Sequence, residues 1–106
     1  MSGEGDNLRG EPRREHGEAA AEELLVAGLE ALGITEVDVL RRKSTDPHKQ
    51  ALSWLLKKHT TVTGVWLADR LQMGHRVNAS RAISRFDRAE DRQTKRLKAK
   101  MIRCTG

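Results

Sequence analysis

Residues Thr61–Phe86, TVTGVWLADRLQMGHRVNASRAISRF, decide how this chain is read. Two short helical segments flank a turn that contains Gly74. At about 100° per residue, Ala79, Ala82, Ile83 and Phe86 of the second segment share one arc, while Ser80, Arg81, Ser84, Arg85 and Arg88 fall opposite. A helix that buries one face and offers guanidinium groups and hydroxyls on the other suits a polyanion, so the pattern predicts a DNA-reading helix.

The residues just before it fit that role. Thr60, Thr61 and Thr63 are poor in helix interiors but good as caps, and Thr63 is the expected N-cap of a helix over Gly64–Met73. There Leu67, Ala68 and Leu71 form one apolar side, while Trp66 and Met73 project from another. A helix apolar on two sides must sit between neighbours, as the first helix of a helix-turn-helix does. Gly74-His75-Arg76-Val77 is the expected turn, with Asn78 capping the following helix.

Upstream, Asp46-Pro47 is a strong helix start, since the carboxylate accepts from free backbone N–H groups and proline is tolerated at the first helical position. The helix is predicted to reach about His59, with Ala51, Leu52, Leu55 and Leu56 inward and Trp54 packing on the flank. Lys49, Gln50, Ser53 and Lys57 are expected in solvent. From about His16 to Leu32, Ala21, Leu25, Leu29 and Leu32 make an apolar stripe. Gly33 should end that helix in a left-handed cap, with Ile34 folding back. Thr35 and Asp38 have capping-box spacing and open a short helix to about Arg42, with Val37 and Leu40 as its contacts.

These readings divide the chain into a disordered tail over 1–15, a helical segment over 16–45, a DNA-binding core over 46–87 and a basic helical extension or tail over 88–106. At 106 residues it has room for one modest core. A single Phe, two Trp and no Tyr leave that core to Leu, Ala, Val and Ile, which favours helices over sheets. The expected fold is a small all-α domain of four or five helices.

Charge is unevenly distributed. Residues 1–45 hold ten acids against six bases, or −4, whereas the remainder holds five acids against fourteen bases, or +9. A basic second part implies an anionic partner, with nucleic acid favoured over membrane. No apolar run approaches the ~20 residues of a bilayer span, and the N-terminus lacks the apolar stretch of a secretory signal. The expected setting is therefore the cytoplasm, on the nucleoid when DNA is bound. Cys104 stands alone and can form neither an internal bridge nor a cysteine-based zinc site. His16, His48, His59 and His75 do not pair on a helix face, and no nucleophile motif surrounds any serine. Neither catalysis, a metal nor a cofactor is expected.

The candidate DNA contacts are Asn78, Ser80, Arg81, Ser84, Arg85 and Arg88 on the helix, His75 and Arg76 in the turn, and Thr61 and Thr63 near the preceding helix start. Arg81, Arg85, Arg88 and Arg92 recur at steps of four, three and four, which stacks them along one side of a single helix. If Asp87, Glu90 and Asp91 pair with these arginines, the row is only a solvated face.

From about Ala20 to Phe86 the chain resembles the C-terminal DNA-binding region of bacterial tyrosine transposases associated with repetitive extragenic palindromes. Asp46–His75, DPHKQALSWLLKKHTTVTGVWLADRLQMGH, and Val77–Arg85, VNASRAISR, carry the resemblance. The three-helix arrangement is also similar to the DNA-binding domain of the bacterial replication initiator. The resemblance implies binding of duplex or palindromic hairpin DNA. It stops short of catalysis, because such transposases use a tyrosine nucleophile and a His-x-His metal motif, and this chain has neither. A free-standing transcriptional regulator and a helical protein–protein adaptor are the alternatives. The adaptor requires an exposed apolar patch, for which Trp66 and Met73 are the candidates.

Overall fold

Side-chain caps fix where most of the helices begin. The computed structural model describes residues 10–105, with side chains from residue 17 onward. Among these residues the chain is all-α, with α1 over Gly10–Leu32, α2 over Glu36–Arg41, α3 over Pro47–His59, α4 over Gly64–Arg70, α5 over Arg76–Arg88 and α6 over Arg92–Arg103. Six helices thus replace the expected four or five. The tail expected over 1–15 lies largely outside the described residues, although helix begins at Gly10 rather than near His16.

Local signals hold where a polar side chain meets free N–H groups. Thr35 accepts from Asp38 N at 3.1 Å, Asp46 from His48 N and Lys49 N, and Thr63 from Trp66 N. Gly33 takes φ +71°, and Ile34 N returns to Leu29 O at 3.1 Å, closing α1 as expected. The capping box at α2 is only half made, since the Asp38 carboxylate pairs with Arg42 at 3.0 Å. On α2 the inward residue is Val39; Val37 is 59% exposed, contrary to expectation, because a helix of six residues has too few turns to define a face by periodicity.

The centre of the molecule is α3. Helices α1 and α6 pack on it from one side and α4 and α5 from another. Its apolar residues Ala51, Leu52, Leu55 and Leu56 are fully buried, and Trp54 is nearly so. Lys49, Gln50 and Ser53 are buried too, correcting the expectation that they face solvent. Carbonyls outside the helix make this possible for Lys49, and a bond within the helix does so for Ser53. Lys49 Nζ donates to Arg42 O at 2.7 Å and to Leu40 O and Gln72 O at 3.3 Å, and Ser53 Oγ donates to Lys49 O. Burial nevertheless lowers the Lys49 pKa from the usual lysine value, with the Asp46 carboxylate opposing the shift.

Close approach of α1 to α3 depends on glycine. A Cβ on Gly28 would lie 2.5 Å from Leu52 Cδ2, and one on Gly17 would run into the Thr61 hydroxyl. Arg70 ties α4 to the acidic helices, reaching Glu22 on α1 at 2.6 Å and Glu36 on α2 at 3.1 Å. These bonds hold the Glu22 carboxyl below its usual pKa and raise that of the guanidinium.

Beyond α5 the chain does not continue as one helix or as a tail. It breaks at Ala89, and Asp91 restarts it as the N-cap of α6 by accepting from Thr94 N and Thr94 Oγ1. Leu97 and Met101 then enter the core. On α5 the buried residues are Ala79, Ala82 and Phe86, whereas Ile83 is only half-buried. Phe86→Ala should therefore cost about 3–5 kcal/mol in urea unfolding. Ile83→Ala should cost clearly less, and equal costs would mean the helix face is misassigned.

Candidate nucleic-acid interface

The turn between α4 and α5 lies earlier in the chain than the sequence implied and spans Leu71–His75. Helix α4 ends at Arg70, with Leu71 as C-cap, instead of running to Met73. Gln72 at φ 56° and Gly74 at φ 87° then bend the chain, and the left-handed Gln72 offers its carbonyl to Lys49. Met73 N returns to Ala68 O at 2.7 Å. Helix α5 starts at Arg76, capped by His75, whose Nδ1 accepts from Val77 N at 3.1 Å. Asn78 is therefore not the cap. It lies in the first turn of α5 and donates from Nδ2 to Met73 O at 2.8 Å, closing the turn from inside. Either side chain is a competent cap, and the helix begins where His75 can accept while Asn78 serves the turn.

This geometry turns one side of α5 outward. Arg76, Ser80, Arg81, Ser84, Arg85 and Arg88 are exposed along it, with Ala79, Ala82 and Phe86 buried opposite. Among the described residues none of these arginines forms an ion pair with a carboxylate. Of the three acids that threatened to neutralise the row, Asp87 and Asp91 are engaged elsewhere and Glu90 forms no ion pair with it. Asp87 accepts from Trp54 Nε1 at 3.0 Å, a bond that holds its carboxyl below the usual range with help from Lys58 and Lys98, and Asp91 caps α6. Arg88 Nε makes only a long contact, 3.4 Å, to Ser84 O.

A shallow groove runs beside this face, lined by Lys57 of α3, Gly64 of α4, and Arg76, Val77, Ser80, Ile83 and Ser84 of α5. Val77 is 40% exposed and joins the surface without having been expected there, because a valine in a turn carries no chemical signal in the sequence. His75 is exposed and, with Nδ1 accepting, carries its hydrogen on Nε2 when neutral, so it can donate outward. The helix brings Arg76, Ser80, Arg81, Ser84, Arg85 and Arg88 to one surface, with His75 at its head.

Two expected contacts, Thr61 and Thr63, lie elsewhere. Thr61 and Thr63 open onto a separate hollow shared with Glu18 and Asp69, and the Thr63 hydroxyl is already engaged as the α4 cap. Arg92 belongs to α6, so the expected four-arginine row on a single helix stops at Arg88. Met73 is buried and Trp66 is half-buried against the core, so the two form no exposed apolar patch. Among the described residues no helix is long and apolar enough to cross a membrane, and no cluster of three metal-ligating side chains occurs.

Comparison with protein families, with curated proteins and with solved structures finds no significant match to this chain. The turn itself is open to test. Asn78→Ala should destabilise the fold by about 1 kcal/mol, the net worth of one such hydrogen bond. Amide exchange should quicken around Met73–Arg76, and unchanged exchange there would show that the bond does not hold the turn.

Proposed function

We propose that this chain binds double-helical DNA, as a duplex or a palindromic hairpin stem, through the outward face of α5. In this reading α4 and α5 form a helix-turn-helix similar to that of the bacterial replication initiator. The chain then acts as a DNA-binding portion like the C-terminal region of the palindrome-associated transposases, in the cytoplasm and without cleaving strands. The observation that carries it is the set of α5 arginines that no described carboxylate neutralises, on a helix whose opposite face is buried.

The chemistry follows from side-chain reach. Arg81 and Ser84 lie mid-helix on the exposed side, where a helix in the major groove meets base edges, and an arginine fork matches guanine O6 and N7. Ser80 and Ser84 are short enough to let the backbone approach, and Val77 offers an apolar surface to a thymine methyl. Arg76 and Arg88 at the two ends, with His75 and Lys57 flanking, are suited to phosphates, which fix register without reading sequence.

Fluorescence anisotropy with mixed-sequence duplexes at two salt concentrations provides the test. Affinity should fall steeply with salt, by roughly 0.9 log unit per log salt for each phosphate neutralised. Arg81→Ala and Arg85→Ala should also erode discrimination between sequences, each by about 1–3 kcal/mol where the arginine reads a base. Absent or salt-indifferent binding would overturn the proposal.

A further inference from the structure

The exposed side of α6 is a second strongly basic surface, distinct from that of α5. At about 100° per residue, Arg92, Lys95, Arg96, Lys100 and Arg103 fall within an arc of roughly 140°, and all five are exposed. Thr94, Leu97 and Met101 lie on the opposite, buried side. Among the described residues none of the five pairs with a carboxylate, although Glu90 stands beside the first turn. Lys98 is set apart from them, donating to Asp87 O at 2.7 Å.

Intrinsic helix stability does not account for this arrangement. Cations near a helix C-terminus complement the helix dipole, which suffices for Lys100 and Arg103. Arg92, Lys95 and Arg96 instead occupy the first half of the helix, where positive charge opposes the dipole, and the single N-cap carboxylate of Asp91 faces three cations there. Arg92 with Arg96 and Arg96 with Lys100 are also like-charged neighbours at i,i+4, a destabilising spacing. A helix that holds five exposed cations without an ion pair, three of them against its own dipole, is suited to an external polyanion. An anionic membrane surface fits poorly, because an interfacial helix must offer a free apolar face, and that of α6 is buried against α3 and α1.

We infer that the basic face of α6 grips the phosphate backbone of the DNA flanking the segment read by α5. This inference rests on the reading of α5 as the sequence-reading helix. Only Ala89–Asp91 separate the two helices, a link that spans at most about 14 Å from Arg88 to Arg92, so the basic face of α6 begins within that distance of the end of α5. Twelve residues of helix cover about 18 Å, and a duplex presents one charge per ~1.7 Å of its axis, so several phosphates fall within reach. Contacts of this kind add affinity without adding sequence preference.

The triple variant Lys95→Gln, Arg96→Gln and Lys100→Gln removes three exposed charges and keeps helix-forming side chains. In anisotropy titrations its salt slope should fall by up to about 2.7, at ~0.9 for each phosphate no longer neutralised, with the preference among sequences unchanged. Wild type should bind a duplex of about 24 base pairs more tightly than one of about 12, and the triple variant should lose that gain. The charge-keeping variant Lys95→Arg with Lys100→Arg should retain the wild-type slope and also controls for folding. If wild type binds and Arg81→Ala erodes discrimination, but the triple variant keeps its slope and length dependence, the α6 inference fails alone. If wild type binds no duplex, the reading of α5 fails and takes this one with it.

Discussion

Enclosure of α3 is the constraint on which the rest of the structure depends. The stretch Lys49–Leu56 of this helix is buried without a break, so the ammonium group it carries inward must find partners, because an unpaired buried charge would destabilise the fold. Lys49 does so by donating to three carbonyls, two at the end of α2 and one in the turn between α4 and α5. A residue that looks like a solvent-facing lysine in fact connects the first part of the chain to the turn that aims α5. With Asn78 closing the same turn, the start of α5 is fixed by bonds from both sides.

Once α3 is enclosed, the surface sorts itself by charge. The acidic helices α1 and α2 engage Arg70 through Glu22 and Glu36, and Trp54 engages Asp87. The longest rows of cations without an ion pair among the described residues lie on the outward sides of α5 and α6, with Glu90 and the N-cap Asp91 as the acids nearest the start of α6. The cations in the last turns of α5 and α6 complement the helix dipole, but the others gain nothing for folding, since exposed like charges repel. The arrangement is understandable as complementarity to a polyanion.

Local chemistry makes much of this legible in the sequence. Thr35, Asp46 and Thr63 announce their helices because a short polar side chain before an apolar run has a specific use there, and Gly33 announces an end because it takes a left-handed conformation. The inward face of α5 is visible for the same reason, as a helical period in small and aromatic residues. What is not legible depends on contacts between segments distant in sequence. Nothing near Lys49 in the chain says that three carbonyls await it. His75 and Asn78 could each have capped α5, and only the folded turn assigns one to the cap and the other to Met73. The break that makes α6 separate does carry a signal, Asp91 followed three residues later by Thr94, but continuous helix propensity across Asp87–Arg92 masks it.

The central claim is that α5 presents its arginine side to DNA while its other side holds the core together. Amide chemical-shift mapping during titration with a duplex at low salt tests this most directly. The largest shifts should fall on Ser80, Arg81, Ser84 and Arg85, with the solvent face of α1 at Glu23, Val26 and Glu30 left unmoved. Shifts centred on α1, or an α5 that stays silent while DNA binds, would contradict the account.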